Sequence, residues 1–478
     1  MRVAIPRDPA TLNPLISETN DELSIEAAVF DGLLKFDAKG QLVPDLATAV
    51  PSRANGGITA DLKTITYHLR RGVAWQDGSP FTSGDVAFTY RMFVSDRVAS
   101  PLRSSYVQVA SLDTPSPYTV VAHLRKPSFG VISQIFVAGS GFIVPEHILR
   151  GVNDIRRSSF NASPVGTGPF AVTRWDRGDD IHLVANDRYF EGRPRVQGLL
   201  LRIVPDPVTR AQLATTGAVE LASVDQSEVS SLKAVPGIRV VRTLARSVFY
   251  LDLNTRRSPL DKRALRRALA AAVDRPRLAS ILGGGVQAAN SLMPGDRRCT
   301  KVAGPAEAIR SRGGGPLSVQ LTYASGPKME HLALVLRQAW KSIGVEATLR
   351  PLPFALLYGE GGAVAAGRYD VAIDGFGVAD PGGIAPLVAS ESIPPKGFNF
   401  SRYADPDVDR WLVMADGTDD ERKRARLYAH VQDALCRDVP VIPLFWDTHT
   451  YALNTRLHGF APGPISSDFW NVASWSLQ

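Results

Sequence analysis

The residues of this chain that could do chemistry are few and do not converge. Gly166-Thr167-Gly168-Pro169-Phe170-Ala171 satisfies G-x-G-x-x-A, the turn with which backbone N–H groups approach a pyrophosphate. That chemistry needs a helix to open at the turn. Phe170-Ala171-Val172-Thr173-Arg174-Trp175 reads as a strand instead, so the dinucleotide reading is rejected. The carboxylate pairs Asp179-Asp180 and Asp419-Asp420 suit turns and helix N-termini better than acid/base work. The eight histidines, His147 and His449 among them, are scattered, and neither G-x-S-x-G nor H-E-x-x-H occurs. Cys299 and Cys436 lack zinc-ligand spacing; an oxidising compartment would allow them one disulfide without requiring it. Gly283-Gly284-Gly285 and Gly313-Gly314-Gly315 read as loops, and neither is followed by the Lys-Ser/Thr of a phosphate-binding loop. No catalytic residue, metal or cofactor is expected. Absent motifs do not exclude every enzyme, and a hydrolase of unfamiliar motif stays as the remote alternative.

Bulk properties narrow the class further. At 478 residues the chain exceeds one hydrophobic core, and two or three domains are expected. Hydrophobic residues at 44% and charged residues at 21% are those of a folded soluble protein. Lys and Arg outnumber Asp and Glu by 54 to 47, but the basic runs are short (Arg70-Arg71, Arg256-Arg257, Arg266-Arg267, Arg422-Lys423-Arg424). They read as solvated faces, and no nucleic-acid partner is expected. The most apolar stretch, 129–144, is interrupted by Ser133, Gln134, Gly139, Ser140 and Gly141, so no spanning helix is predicted.

The elements that would hold a site can be read in order. Thr64, Thr66, Tyr67 and Leu69 favour a strand, Asp77-Gly78-Ser79-Pro80 a turn, and Thr82 with Asp85 a capping box. Val86, Tyr90 and Phe93 then share a helical face. Residues 21–36 read as a helix and 111–124 as a hairpin turning at Pro115-Ser116-Pro117. A helix begins near Asp261, with Leu265, Leu269 and Val273 buried and four basic residues exposed, and Pro276 opens a second. Strands at 317–323, 345–349 and 369–376 alternate with a helix at 328–343 that Gly344 would cap. Helices follow at 405–415 and 419–437.

Three strings carry more information than packing requires: L-R-R-G-V-A-W-Q-D-G-S-P-F-T-S-G-D-V-A-F-T-Y from Leu69, P-V-G-T-G-P-F from Pro164, and V-F-Y-L-D-L-N-T from Val248, followed by S-P-L-D-K-R-A-L-R-R-A-L from Ser258. Together they closely resemble the signature of the family-5 extracellular solute-binding proteins, the peptide-, nickel- and oligosaccharide-binding components of bacterial ABC importers. Leu12-Asn13-Pro14-Leu15, Val29-Phe30-Asp31-Gly32-Leu33-Leu34, Leu42-Val43-Pro44-Asp45-Leu46-Ala47 and Val439-Pro440-Val441-Ile442-Pro443-Leu444 resemble further family strings in the same order. The resemblance runs from about residue 2 to about residue 460.

The resemblance implies an α/β fold of the large periplasmic binding protein type, with mixed sheets and a hinge between lobes. Lobe one would hold 1–246 and 447–478, with 47–165 as a smaller subdomain, and lobe two would hold 247–446. Such a protein would close on a peptide or peptide-like solute and deliver it to the transmembrane subunits of an ABC permease. A non-peptide solute (an oligosaccharide, opine or metal chelate) is the alternative. The protein would be a monomer, periplasmic or extracellular, membrane-associated only through its transporter, with an export signal removed and Met1 supplied in its place. By correspondence with the family, Glu18, Thr19 and Asn20 form a ligand-contacting loop. Tyr106 and Phe142 wall the site from the subdomain side, and Tyr250, Phe376 and Asn399 contribute from the hinge and lobe two. In peptide-binding relatives an Asp in a W-x-A-D-Y-x-D-P segment pairs with the ligand's α-amine. Here the matching stretch is Gly375-Phe376-Gly377-Val378-Ala379-Asp380-Pro381, with Val378 and Ala379 near that Asp's place. Asp380 either shifts into the role or only caps the next turn, and the usual amine anchor is expected to be absent.

Overall fold

The computed structural model describes every residue except 99, 140, 283, 284, 294, 295, 297, 298, 300–316, 360, 379 and 466. The 313–315 glycine loop, Gly283, Gly284, Ser140 and Ala379 therefore lie outside the described residues. The chain forms two compact units: Met1–Thr243 with His449–Gln478, and Leu244–Thr448.

The first unit is built on a mixed sheet. The strand Arg2–Ile5 lies between Gly198–Ile203 and Leu221–Ser223, parallel to both, with Val3 opposite Leu201 and Leu221. Antiparallel strands Asp180–Ala185 and Phe170–Asp176 extend one side. On the other side, Tyr451, Ala452 and Leu453 pair with Ser223, Ala222 and Leu221. The helix Pro207–Thr215 covers this sheet. Asp206 caps it by accepting from the Thr209 N–H at 2.7 Å, and Pro207 opens it where no N–H is needed.

A three-stranded antiparallel sheet of Thr64–His68, Thr119–Leu124 and Val109–Ser116 packs with the helix Ser83–Val94. The capping box forms as its spacing predicts. The Thr82 hydroxyl accepts from the Gly84 N–H, and Asp85 accepts from the Thr82 N–H at 2.9 Å.

The expected helix at 21–36 is shorter. It spans Asn20–Glu26, and the chain then runs through turns into the strand Leu34–Phe36. The reason is that neighbouring segments take the backbone groups a longer helix would use. Gly168 and Phe170 donate to the carbonyls of Val29 and Ala28, and Leu33 donates to Phe136. This contact needs glycine: a Cβ on Gly166 would fall 1.8 Å from the Val29 oxygen. Gln76 completes the seam. Its amide donates to the carbonyls of Gly168 (3.2 Å) and Phe170 (2.8 Å) and its oxygen accepts from the Gly166 N–H (3.0 Å). The strings around Val29, Gln76 and Gly166 are thus stitched to one another.

In the second unit, Val371–Gly377 lies between Leu317–Ala324 (parallel) and residues 247–253 (antiparallel), and Val345–Leu352 pairs parallel with Leu317–Ala324. Leu251, Leu253, Val371 and Ile373 join one core with the helices Arg263–Ala271 and Pro327–Lys341. There the Trp340 indole donates to the Leu269 carbonyl at 3.2 Å. Val248 and Tyr250 join another with Pro406–Asp416 and Glu421–Asp438. Gly344 adopts φ +83° just past the Pro327–Lys341 helix. One sequence expectation is corrected here. Of the four basic residues near Asp261, Arg266 is buried, because its guanidinium donates to the carbonyls of Leu260, Asp261, Asp438 and Val439. Cys299 and Cys436 form a disulfide.

Candidate functional site

The second unit contains a cavity of about 780 Å³. Three stretches build it: the edge of Val371–Gly377, the helix Phe354–Tyr358 with the loop that follows, and residues 394–402. Strand alternation decides what faces in. Asp374 stands opposite Tyr250 and Phe376 opposite Val248, on the sheet face turned from the Leu251–Ile373 core. Five rings run along the wall. Centroids lie 4.8 Å apart for Phe354–Tyr358, 5.3 Å for Tyr358–Phe400, 6.2 Å for Phe400–Phe398 and 5.7 Å for Phe398–Phe376. Phe354 and Phe398 remain 69% and 45% exposed, more than a ring filling a core would be.

Asp374 is the carboxylate of the cavity wall. Burial pushes it up to about 6, although the Gly375 N–H (2.7 Å) and the Tyr358 hydroxyl both donate to it and favour its charged form. Asp252, one strand away and 1% exposed, is raised well above the usual range by burial and by the charge of Asp374. The two carboxyls titrate together, burial favours the neutral form of each, and the pair as a whole carries one negative charge at neutral pH. Arg402 also lines the cavity, but its guanidinium donates to the Ala365 carbonyl at 2.8 Å.

The residues expected from sequence are dispersed. Phe376 is in the cavity wall. Asn399 is buried beside it with its amide satisfied: it donates to the carbonyls of Ala389 and Tyr403 (2.9 Å each) and accepts from Ser401 (2.8 Å). Tyr250 and Val378 are core residues of the second unit. Asp380 accepts from the Gly382 N–H at 2.6 Å and caps the turn Pro381–Ile384. In the first unit, Tyr106 and Phe142 have no exposed surface. The Tyr106 ring stacks on Phe93 at 4.4 Å and its hydroxyl accepts from the Phe136 N–H at 2.8 Å, so the side chain serves packing. Glu18, Thr19 and Asn20 are exposed where the chain enters the helix Asn20–Glu26, with Thr19 as its N-cap. This stretch is held by Glu22, whose carboxylate accepts from the N–H groups of Ala10, Glu18 and Thr19 at 2.9 Å each. Beside it sit polar groups not singled out from sequence. Arg7 pairs with Asp21 at 2.9 Å, and the Tyr451 hydroxyl donates to Asp468. Asp374 and the rings of Phe354, Tyr358, Phe398 and Phe400 were likewise missed; an Asp in an apolar strand, as in Val371–Gly377, was the available signal.

Comparison with known proteins places this geometry. The pattern of the bacterial extracellular solute-binding proteins, family 5 (middle region), matches residues 41–390. The chain belongs to this family. As a family-5 solute-binding protein it is 30% identical to Protein XP55 of Streptomyces lividans, over 96% of this chain and 85% of that one. It is 24% identical to the oligopeptide-binding protein AppA of Bacillus subtilis (strain 168), over 98% and 90%. Its fold is the two-lobed α/β fold of periplasmic binding proteins. The crystal structure of the ABC transporter substrate-binding protein CtaP of Listeria monocytogenes superposes with a TM-score of 0.85 at 24% identity, covering 100% of this chain and 99% of that one. The family match stops at residue 390, before the 394–402 wall of the cavity. Among the described residues no helix is long and apolar enough to cross a membrane.

Proposed function

We propose that this family-5 protein is the receptor of a bacterial ABC importer and that it captures a peptide or peptide-like solute for delivery to the permease. The observation that carries the proposal is the cavity: large, walled by partly exposed rings, and holding one ionised carboxylate, as a pocket for a solute of several residues requires. The similarity to an oligopeptide-binding relative along nearly the whole chain supports the peptide class. The two units, Met1–Thr243 with His449–Gln478 and Leu244–Thr448, serve as the lobes expected at 1–246 with 447–478 and at 247–446, and the exposed stretch Glu18-Thr19-Asn20 supplies contacts from the first. The protein acts as a monomer outside the cytoplasm, meets its permease at the membrane, and catalyses no reaction. Asp380, engaged at its turn, leaves the α-amine without its usual anchor.

Native mass spectrometry of freshly purified protein, followed by titration with free and N-acetylated peptides, tests this. Stoichiometric binding without turnover is expected, with little loss on acetylation. Conversion of the solute to product would refute the receptor reading. Strong binding of free dipeptides that is abolished both by acetylation and by Asp380→Asn would restore Asp380 as the anchor.

A further inference from the structure

We propose that the cavity of the second unit takes a cationic group on an apolar stem, such as a lysine side chain or an alkylammonium, with Asp374 as counter-ion and the five-ring wall as its lining. The inference rests on the receptor reading above and names a part of the solute.

Three observations converge on it. The first is uncompensated charge. Among the described residues, no lysine or arginine is in the set of groups that act on Asp374 or Asp252, and the Asp252 Oδ2 has no hydrogen-bond partner. The negative charge of the Asp374–Asp252 pair, set beside a wall of apolar rings, creates a field that favours a cation. The second is the lining. Successive rings of Phe354, Tyr358, Phe400, Phe398 and Phe376 have centroids 4.8 to 6.2 Å apart along the wall, and ring faces attract ammonium as well as methylene groups. The third is that Arg402, the basic residue among the described residues of the wall, keeps its charge but is not among the groups that act on Asp374. Arg402 is bonded to the Ala365 carbonyl, and its guanidinium lies where a Cβ on Gly367 would meet it at 2.5 Å.

A neutral apolar side chain would fill the rings and leave Asp374 with its charge desolvated. An anion would add repulsion. A cation on a short stem satisfies both halves of the wall at once. Asp374 lies within the strand Val371–Gly377, whereas Asp380 caps the turn beyond it, so the two carboxyls are distinct candidates for a cation.

Isothermal titration of the full chain with N-acetyl-Ala-Lys-Ala, N-acetyl-Ala-norleucine-Ala and cadaverine tests the proposal. The two peptides differ only in the charge on the stem, and acetylation removes the α-amine. The lysine peptide is expected to bind at least about ten-fold more tightly than the norleucine peptide, since a charge-assisted contact is worth that much or more. Cadaverine should compete with it. Asp374→Asn should bring the preference close to one, and Asp374→Glu should keep most of it. Melting temperatures of both variants confirm folding. Equal affinity for the two peptides, an undiminished preference in Asp374→Asn, or the failure of every cationic probe to bind would overturn the proposal. Tight but charge-indifferent peptide binding would overturn it while leaving the receptor reading intact. Binding of cadaverine without either peptide would sustain the cation site and refute the peptide class.

Discussion

Glu26 offers a sharp test of how burial controls charge in the first unit. It is fully buried, and burial pushes its carboxyl up to about 8 from the usual 4.5, with the charge of Glu22 adding to the rise and the Ser17 hydroxyl opposing it. Proton counting permits the same neutral state. Ser17 has one hydroxyl proton and two acceptors in reach, the Asn13 carbonyl at 2.9 Å and the Glu26 Oε1. If Ser17 donates to Asn13, the contact with Glu26 requires the carboxyl to be the donor, and hence neutral. Glu26→Gln preserves this arrangement with an amide that cannot ionise. The sign follows from linkage. The folded value lies above the unfolded one, so folding takes up a proton between pH 4.5 and 8. The wild type loses stability as pH rises through that window, at most about 1.4 kcal/mol per unit, and loses no more from this group above it. Between pH 5 and pH 8 the stability of the Gln variant should therefore rise relative to wild type by on the order of 3 kcal/mol. Urea denaturation of both proteins at pH 5, 6, 7 and 8, with equal m-values, measures it. Two curves that stay parallel to within about 0.5 kcal/mol across the range would refute the neutral, buried carboxyl.

Other perturbations have equally definite outcomes. Gly166→Ala places a Cβ 1.8 Å from the Val29 oxygen; a stability loss of about 3 kcal/mol or more is expected in denaturant titration, in the range of severe core strain. Lys35 is largely buried between Asp45 at 3.0 Å and Glu191 at 2.9 Å, with Asp31 also acting on it. Lys35→Met should cost roughly 3–5 kcal/mol at pH 7. Part of that loss should return on acidification, because Asp31 and Asp45 are already raised by burial and neutralise readily; a loss independent of pH would count against the charge account. Reduction of Cys299–Cys436, which closes a separation of 137 residues, should lower the second unit's stability by about 2–4 kcal/mol, read from its melting with and without reductant.

How much of this was legible in the sequence depended on how local each cause is. The Thr82–Asp85 capping box and the Gly344 helix stop involve neighbours in the chain, and the residue types announce them. The family strings were legible for a related reason: Gly166, Gly168 and Gln76 are demanded by a backbone seam that tolerates little else. The shortened helix after Glu26 was not legible, because Gly168 and Phe136, far away in sequence, take its backbone groups. Arg266 read as exposed from its neighbours, since the carbonyls it serves at Asp438 and Val439 come from another helix end. The site was the least legible part. Phe376 was found through the family correspondence, but Asp374 gains meaning only when cross-strand pairing sets it on the face of Tyr250 and two distant loops bring Phe354 and Phe398 alongside. Tyr106 and Phe142 show the converse, aromatic residues whose surroundings are wholly packing.

The first unit's sheet has a strand from each end of the chain: Arg2–Ile5 is made early, while Tyr451–Leu453, which pairs with Leu221–Ser223, is made after all of Leu244–Thr448. During synthesis the ribosome must therefore deliver the entire second unit before the first can finish its edge and bury Trp475 against Phe460 and Phe469. The second unit, an uninterrupted segment, is under no such delay. Through most of its translation the nascent polypeptide is thus held short of its native state by topology alone, with the Leu221–Ser223 strand awaiting a neighbour. This is an interval in which a chaperone can engage it, and truncation just after Thr448 would strand the first unit while sparing the second.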